Sequence, residues 1–252
     1  MFIDNKILPV LVIHDQKKAI DLAKCLYDSG IRNIEIALRT NESKKSIEKI
    51  VASEIPLNIG IGTILSLDDL IFAKDVGANF GLSPSTDTQI IEKSIDLNFD
   101  FIPGISTPTD ISTVIKYGIN KLKFFPAENL GGMDYLNRIN SPFKHLDLKY
   151  VVLGGIDHDN FMKYAESDNI IAIGGSWIAK KELIDNNDWN EISRRAKIFL
   201  NYLFKKEWNS LNNDFNSSLS LGDILFFFMK LLISLAIFLS NIDIKKLFLR
   251  ST

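Results

Sequence analysis

The stretch NKLKFFPAENLGG, residues 120–132, places a lysine inside an apolar run that ends at a proline. Read as a strand, it puts Leu122 and Phe124 on one face and Lys121, Lys123 and Phe125 on the other. A lysine on a buried strand costs desolvation free energy unless its amine reaches water, a charge partner or a reacting group. The fold is decided by where that second face points.

Seven further runs of similar character flank this one, over 7–13, 33–38, 57–63, 79–84, 99–105, 149–155 and 170–177. Between them lie amphipathic segments such as DQKKAIDLAKCLYDSG and NESKKSIEKIVASE, with apolar residues at helical spacing. Gly30 is placed to end the first helix and Asn41 to cap the second. Eight strands alternating with helical crossovers in about 200 residues describe a (β/α)8 TIM barrel. A doubly wound open sheet is the competing architecture, but it carries its glycine fingerprint after the first strand. Here the first strand runs into HDQKKA, and the glycine pairs fall after the seventh and eighth strands. The expected fold is the barrel.

Composition adds bounds. The 252 residues carry a formal net charge of −2, with no basic stripe interleaved with aromatics, so nucleic-acid binding is not expected. The single cysteine, Cys25, excludes an internal disulfide and fits a cytoplasmic location. His14, His145 and His158 are scattered, no zinc-site spacing is present, and no metal is expected. The opening MFIDNKILPV lacks a basic segment followed by an apolar core, so no secretory signal is expected.

In a barrel, the ends of several strands converge on one interior. On the second strand Ile34, Ile36 and Leu38 suit the helix layer, which turns Glu35, Ala37 and Arg39 inward. Glu35 and Lys123 therefore aim at a common centre. One reading is a buried structural ion pair, a weak stabiliser that apolar residues replace at little cost. The other is chemical: a lysine amine in an apolar setting attacks a ketone to form a Schiff base, and a neighbouring glutamate moves protons. VLGGI, with Gly154 and Gly155, ends the seventh strand, and IGGSW, with Gly174, Gly175 and Ser176, ends the eighth. Glycine lets backbone N–H groups approach an anion, and the loops after these two strands are the usual phosphate site of barrel enzymes.

The motifs IEIALRT, GIGT, LSP, IPGIST, KFFPAE, GGI and IGGSW together resemble those of the bacterial 2-keto-3-deoxy-6-phosphogluconate (KDPG) / 2-keto-4-hydroxyglutarate (KHG) aldolase family, from about residue 7 to 203. The resemblance implies a homotrimeric, metal-free class I aldolase that releases pyruvate and glyceraldehyde 3-phosphate, as in Entner–Doudoroff sugar-acid catabolism. It implies no cofactor beyond the covalent Schiff base on Lys123. Glu35 would be the general acid/base, Arg39 and Thr63 would stand near the substrate's carboxylate and keto end, and Pro84 and Pro103 would shape the pocket. Gly154, Gly155, Gly174, Gly175 and Ser176 would hold the phosphate. Two positions depart from the family: Leu153 stands where threonine is usual, and Ser85 where glycine is common. Loss of the threonine hydroxyl leaves open a related 2-keto acid substrate, hydroxyglutarate or phosphogalactonate.

The C-terminal end is different in kind. The expected division is a barrel over 1–203, a polar linker over 204–220 and an apolar helical extension over 221–252. The run ILFFFMKLLISLAIFL, 224–239, is shorter than the roughly 20 residues a spanning helix needs, and Lys245, Lys246 and Arg250 follow it. It reads as a helix at a membrane surface, a helix packed on the barrel or a partner, or a non-native extension. A non-catalytic barrel tethered through this tail is the remaining alternative, against which the inward Glu35, Lys123 and Arg39 argue.

Overall fold

Every expected strand region carries parallel strand structure in the computed structural model, which describes residues 6–215. The strands are β1 (Ile7–Leu11), β2 (Asn33–Ala37), β3 (Asn58–Gly62), β4 (Phe80–Leu82), β5 (Phe101–Ile102), β6 (Gly104–Ile105), β7 (Lys121–Phe124), β8 (Lys149–Leu153) and β9 (Ile170–Gly175). One sequence expectation is corrected here, because the single strand over 99–105 is cut in two at Pro103. Proline has no N–H for a ladder, so β5 pairs with β4 on one side and β6 with β7 on the other. The order β5-β4-β3-β2-β1-β9-β8-β7-β6 then brings both edges to the broken strand. Lys123 N–H donates to the Pro103 carbonyl across the seam at 2.8 Å. The result is a nearly closed (β/α)8 barrel.

Alternation sorts the apolar residues into two layers. Leu8, Val10, Ala37, Phe80, Leu82, Ile102, Val151, Leu153 and Ala172 fill the barrel. Their neighbours, such as Ile7, Leu11, Ile34, Ile36, Leu122, Phe124, Tyr150 and Val152, pack outward against the helices. Each of the valine, leucine, isoleucine and phenylalanine side chains contributes about 1.5–3 kcal/mol by leaving water. The interior face of β3 is made of glycine for a reason: a Cβ on Gly60 would stand 2.2 Å from the Phe80 ring. Lys121, expected on the inward face with Lys123, sits at the opposite end of the strand, half-exposed and 3.6 Å from Asp100.

The helices are α1 (Ala19–Asp28), α2 (Ser43–Ala52), α3 (Leu67–Asp75), α4 (Thr88–Asp96), α5 (Pro108–Ile115), α6 (Gly132–Asn140), α7 (Phe161–Ala165), α8 (Lys181–Asp185) and α9 (Trp189–Phe215). Gly30 ends α1 as expected, with φ +94 in the left-handed region that glycine adopts without strain. Asn41 does not cap α2. The turn before it is held by Ser43, whose hydroxyl donates to the Ala37 carbonyl at 2.9 Å and accepts from Thr40 N–H at 3.1 Å. The helix α9 continues through 204–215, part of the stretch expected as a linker. The rest of that stretch and the extension over 221–252, with its run 224–239, lie outside the described residues. Among the described residues no helix is long and apolar enough to cross a membrane.

Candidate active site

Glu35 and Lys123 meet on the barrel axis. Lys123 Nζ donates to Glu35 Oε1 at 3.2 Å, with side-chain exposures of 3% and 0%, so bulk water hardly reaches either group. The two strands that carry them are separated by 88 residues in the chain. Glu35 Oε2 is buried and has no hydrogen-bond partner among the described residues. A buried carboxylate oxygen that no protein donor reaches keeps its lone pairs for a substrate hydroxyl. The carboxylate fits only because residue 62 is glycine: a Cβ there would lie 1.9 Å from Glu35 Oε1. The Phe125 ring lies 5.6 Å from Lys123 Nζ.

Above this pair opens a cavity of about 310 Å³ lined by Glu35, Arg39, Lys123, Gly154, Gly155, Gly175 and Ser176, seven of the eleven residues expected at the site. Thr63 reaches it indirectly, its hydroxyl accepting from Arg39 Nε at 2.9 Å while its own φ is +61. A non-glycine residue in the left-handed region costs of order 1 kcal/mol, and here the bent backbone aims the hydroxyl at the guanidinium.

Gly174 lies one residue deeper than expected for anion contact. It is there for packing: a Cβ would strike Leu153 Cδ2 at 2.2 Å and the Leu8 carbonyl at 2.4 Å. Pro84 and Pro103 are not among the lining residues. Pro84 presses its backbone on Gly104, where a Cβ would come within 2.3 Å, and Pro103 sits at the seam.

The glycine turn after β8 leaves backbone amides unclaimed among the described residues. Gly154 and Gly155 are consecutive left-handed residues, with φ +101 and +76. The carbonyls of Leu153 and Gly154 accept from Ala127 and Glu128 N–H at 2.8 and 3.0 Å. The Gly155 carbonyl accepts from Asn160 Nδ2 at 2.8 Å. With the carbonyls taken, the N–H groups of Gly155 and Ile156 are given to no protein acceptor among the described residues. Such paired amides bind anions.

Sequence reasoning missed Val10, Val12, Asp157, Trp177 and Lys180, which also line the cavity. Trp177 closes the IGGSW motif and Lys180 lies three residues beyond it, both in the segment that leaves β9. Asp157, His158 and Asp159 gather potential metal donors within 4.8 Å of one another. They are consecutive, so no ligand spacing announced them. All are at least partly exposed, and His158 already pairs with Asp159 at 3.1 Å.

The family described as KDPG and KHG aldolase matches residues 2–195. A 2-dehydro-3-deoxy-phosphogluconate aldolase of Pseudoalteromonas atlantica is 35% identical over 198 residues, covering 78% of this chain and 91% of the relative. A KHG/KDPG aldolase of Escherichia coli is 32% identical over 192 residues, covering 76% and 89%. Among solved structures, the KDPG aldolase of Legionella pneumophila, with pyruvate captured as a covalent carbinolamine intermediate, superposes with a TM-score of 0.74 at 29% identity. It covers 77% of this chain and 93% of its own.

Proposed function

The chain belongs to the KDPG and KHG aldolase family, a family of carbon–carbon lyases, and from that premise we propose that it is a Schiff-base aldolase. Its substrate on this reading is 2-keto-3-deoxy-6-phosphogluconate, cleaved to pyruvate and glyceraldehyde 3-phosphate. The observation that carries the reading is the 3.2 Å contact between Lys123 Nζ and Glu35 Oε1 at the floor of the cavity, with Oε2 left open.

The Lys123 amine adds to the C2 carbonyl, and loss of water from the carbinolamine leaves an iminium. Glu35 takes the C4 hydroxyl proton, and the C3–C4 bond breaks with its electron pair flowing into the iminium. The aldehyde departs, leaving an enamine on Lys123. Glu35 returns a proton to C3, and water releases pyruvate. The iminium is the electron sink, so the chemistry calls for no redox cofactor or metal. Arg39, steadied by Thr63, pairs with the substrate carboxylate. The Gly154–Gly155 turn, Gly175 and Ser176 receive the phosphate.

Borohydride reduction in the presence of pyruvate tests the mechanism. The expected product is one pyruvate-derived mass on Lys123, absent from Lys123→Ala. Labelling at another lysine, or none on folded protein, removes the proposal. Leu153 favours a second substrate reading. It is 3% exposed and places an apolar side chain beside the glycine turn, where a threonine would offer a hydroxyl, which leaves open 2-keto-4-hydroxyglutarate or a phosphogalactonate. Comparing kcat/KM for the three substrates decides between them.

The reading includes a homotrimer, checked by light scattering, and a cytoplasmic location, since a phosphorylated substrate does not cross membranes. It also includes a catalytic unit over 1–203 followed by an appended segment. Fractionating the whole chain beside one ending at Leu203 tests peripheral membrane contact through that segment, which identical soluble behaviour would remove.

A further inference from the structure

The turn after β7 carries a glutamate that the reaction does not use. Glu128 lies outside the cavity lining, yet it touches the glycine turn from behind. Its N–H donates to the Gly154 carbonyl at 3.0 Å. Its Cβ stands where a Cβ on Gly155 would come within 2.7 Å, so the side-chain stem lies against the Gly155 backbone. The carboxylate then reaches α7. Tyr164, fully buried, donates its hydroxyl to Glu128 Oε1, and Lys163 Nζ stands 3.0 Å away. Burial and the carboxylate both hold the Tyr164 hydroxyl above its ordinary range, so it stays a donor at any working pH. Gly132 completes the enclosure, for a Cβ there would meet the Tyr164 hydroxyl at 3.1 Å and Glu128 Oε1 at 3.2 Å.

An exposed ion pair such as Lys163–Glu128 is worth little alone. A partly shielded carboxylate shared by a buried phenol and an ammonium is better fixed. Three elements meet on it: the segment that follows the Lys123 strand, the glycine turn, and α7. We infer that Glu128, locked by Tyr164 and Lys163, is a positioning residue that holds the Gly154–Gly155 turn in its anion-receiving conformation. The inference rests on the proposed function only in taking that anion to be the substrate phosphate.

The test uses the whole chain and the variants Glu128→Ala, Glu128→Gln and Tyr164→Phe, with circular dichroism as the folding control. Inorganic phosphate is titrated by phosphorus NMR line broadening, and KM is measured for 2-keto-3-deoxy-6-phosphogluconate and its phosphate-free analogue. Glu128→Ala is expected to weaken phosphate binding and raise KM for the phosphorylated substrate by about tenfold or more. The phosphate-free KM and pyruvate trapping at Lys123 should stay within about twofold of wild type. Glu128→Gln, which still accepts from Tyr164, should recover most of the loss, and Tyr164→Phe should reproduce part of it. Unchanged phosphate affinity in folded Glu128→Ala, equal losses on both substrates, or a wild-type chain that binds no phosphate would overturn the inference. A wild type that binds phosphate but is not trapped by pyruvate would overturn the aldolase mechanism and leave the phosphate titration to decide this one.

Discussion

Glu35 owes its position to an absence of atoms one strand away. Residue 62 contributes no side chain, and the carboxylate occupies the space where a methyl group would stand 1.9 Å from Oε1. Gly62→Ala therefore cannot be accommodated without moving the carboxylate off Lys123, since both side chains are enclosed. A displacement of about 1 Å at a reacting group costs on the order of a hundredfold in rate. The expected result is a kcat reduced by about that factor with Lys123 still labelled by pyruvate and borohydride, since the nucleophile itself is untouched. Wild-type turnover in this variant would show that the carboxylate's place does not matter to the reaction. The variant separates the glutamate's position from its chemistry, which Glu35→Gln alone does not.

At the scale of the element, the short helix α5 shows how a loop next to the site is set. Asp110 Oδ2 accepts from Ser106 and Thr107 N–H at 2.9 and 2.8 Å and from both hydroxyls, while Thr107 Oγ1 accepts from Asp110 N–H at 3.3 Å. This capping box fixes the chain directly after β6. Partial burial works against ionisation of Asp110, but the four donors outweigh it and hold the carboxyl below its ordinary range. A carboxylate depressed in the folded state stabilises above its unfolded pKa, about 3.9, and that contribution is lost as pH falls through the folded value. Asp110→Asn is expected to lower stability by about 1 kcal/mol at neutral pH. The gap from wild type should begin to narrow below about pH 4 and close as pH falls through the folded value. Urea melts at pH 7 and pH 3 check it; an equal gap at both would show that charge is not the cause.

The same scale shows what the sequence made legible. Period-two alternation in β2 and β7 named the inward Glu35 and Lys123, because a side chain's face follows directly from its place in a strand. The break at Pro103 was not legible, since FDFIPGI reads as one apolar run and only the sheet's closure shows which neighbours each half must pair. The Asn41 cap failed for a local reason: a serine two residues on, with carbonyl and amide both in reach, satisfies the turn better than an asparagine before it. Trp177 and Lys180 lie past the last residue of β9, where strand alternation has ended and holds no signal for what faces the cavity.

At the scale of the molecule, the barrel mouth is braced by α9. Phe199 of α9 is 2% exposed and stands between Phe161 of α7, at a ring distance of 3.8 Å, and Trp177, at 5.2 Å. Arg195, one turn earlier, donates to the Trp177 carbonyl at 2.6 Å and pairs with Glu191 at 2.8 Å. Trp177 lines the cavity, so α9 supports the site from outside the strands that carry the chemistry. Phe199→Ala leaves a void that neither ring can fill, because Phe161 is held edge-on by Tyr202. The expected loss is about 3–5 kcal/mol, or roughly 6–20 °C in Tm at about 2–4 °C per kcal/mol. Trp177, freed on one face, should shift its emission to the red and KM should rise, while the Lys123–Glu35 floor, built on β7 and β2, keeps pyruvate labelling intact. A variant with wild-type Tm and emission would mean that α9 does not brace the mouth. A variant that loses pyruvate labelling while still folded would mean that floor and mouth are not separable, and that the barrel's interior depends on α9.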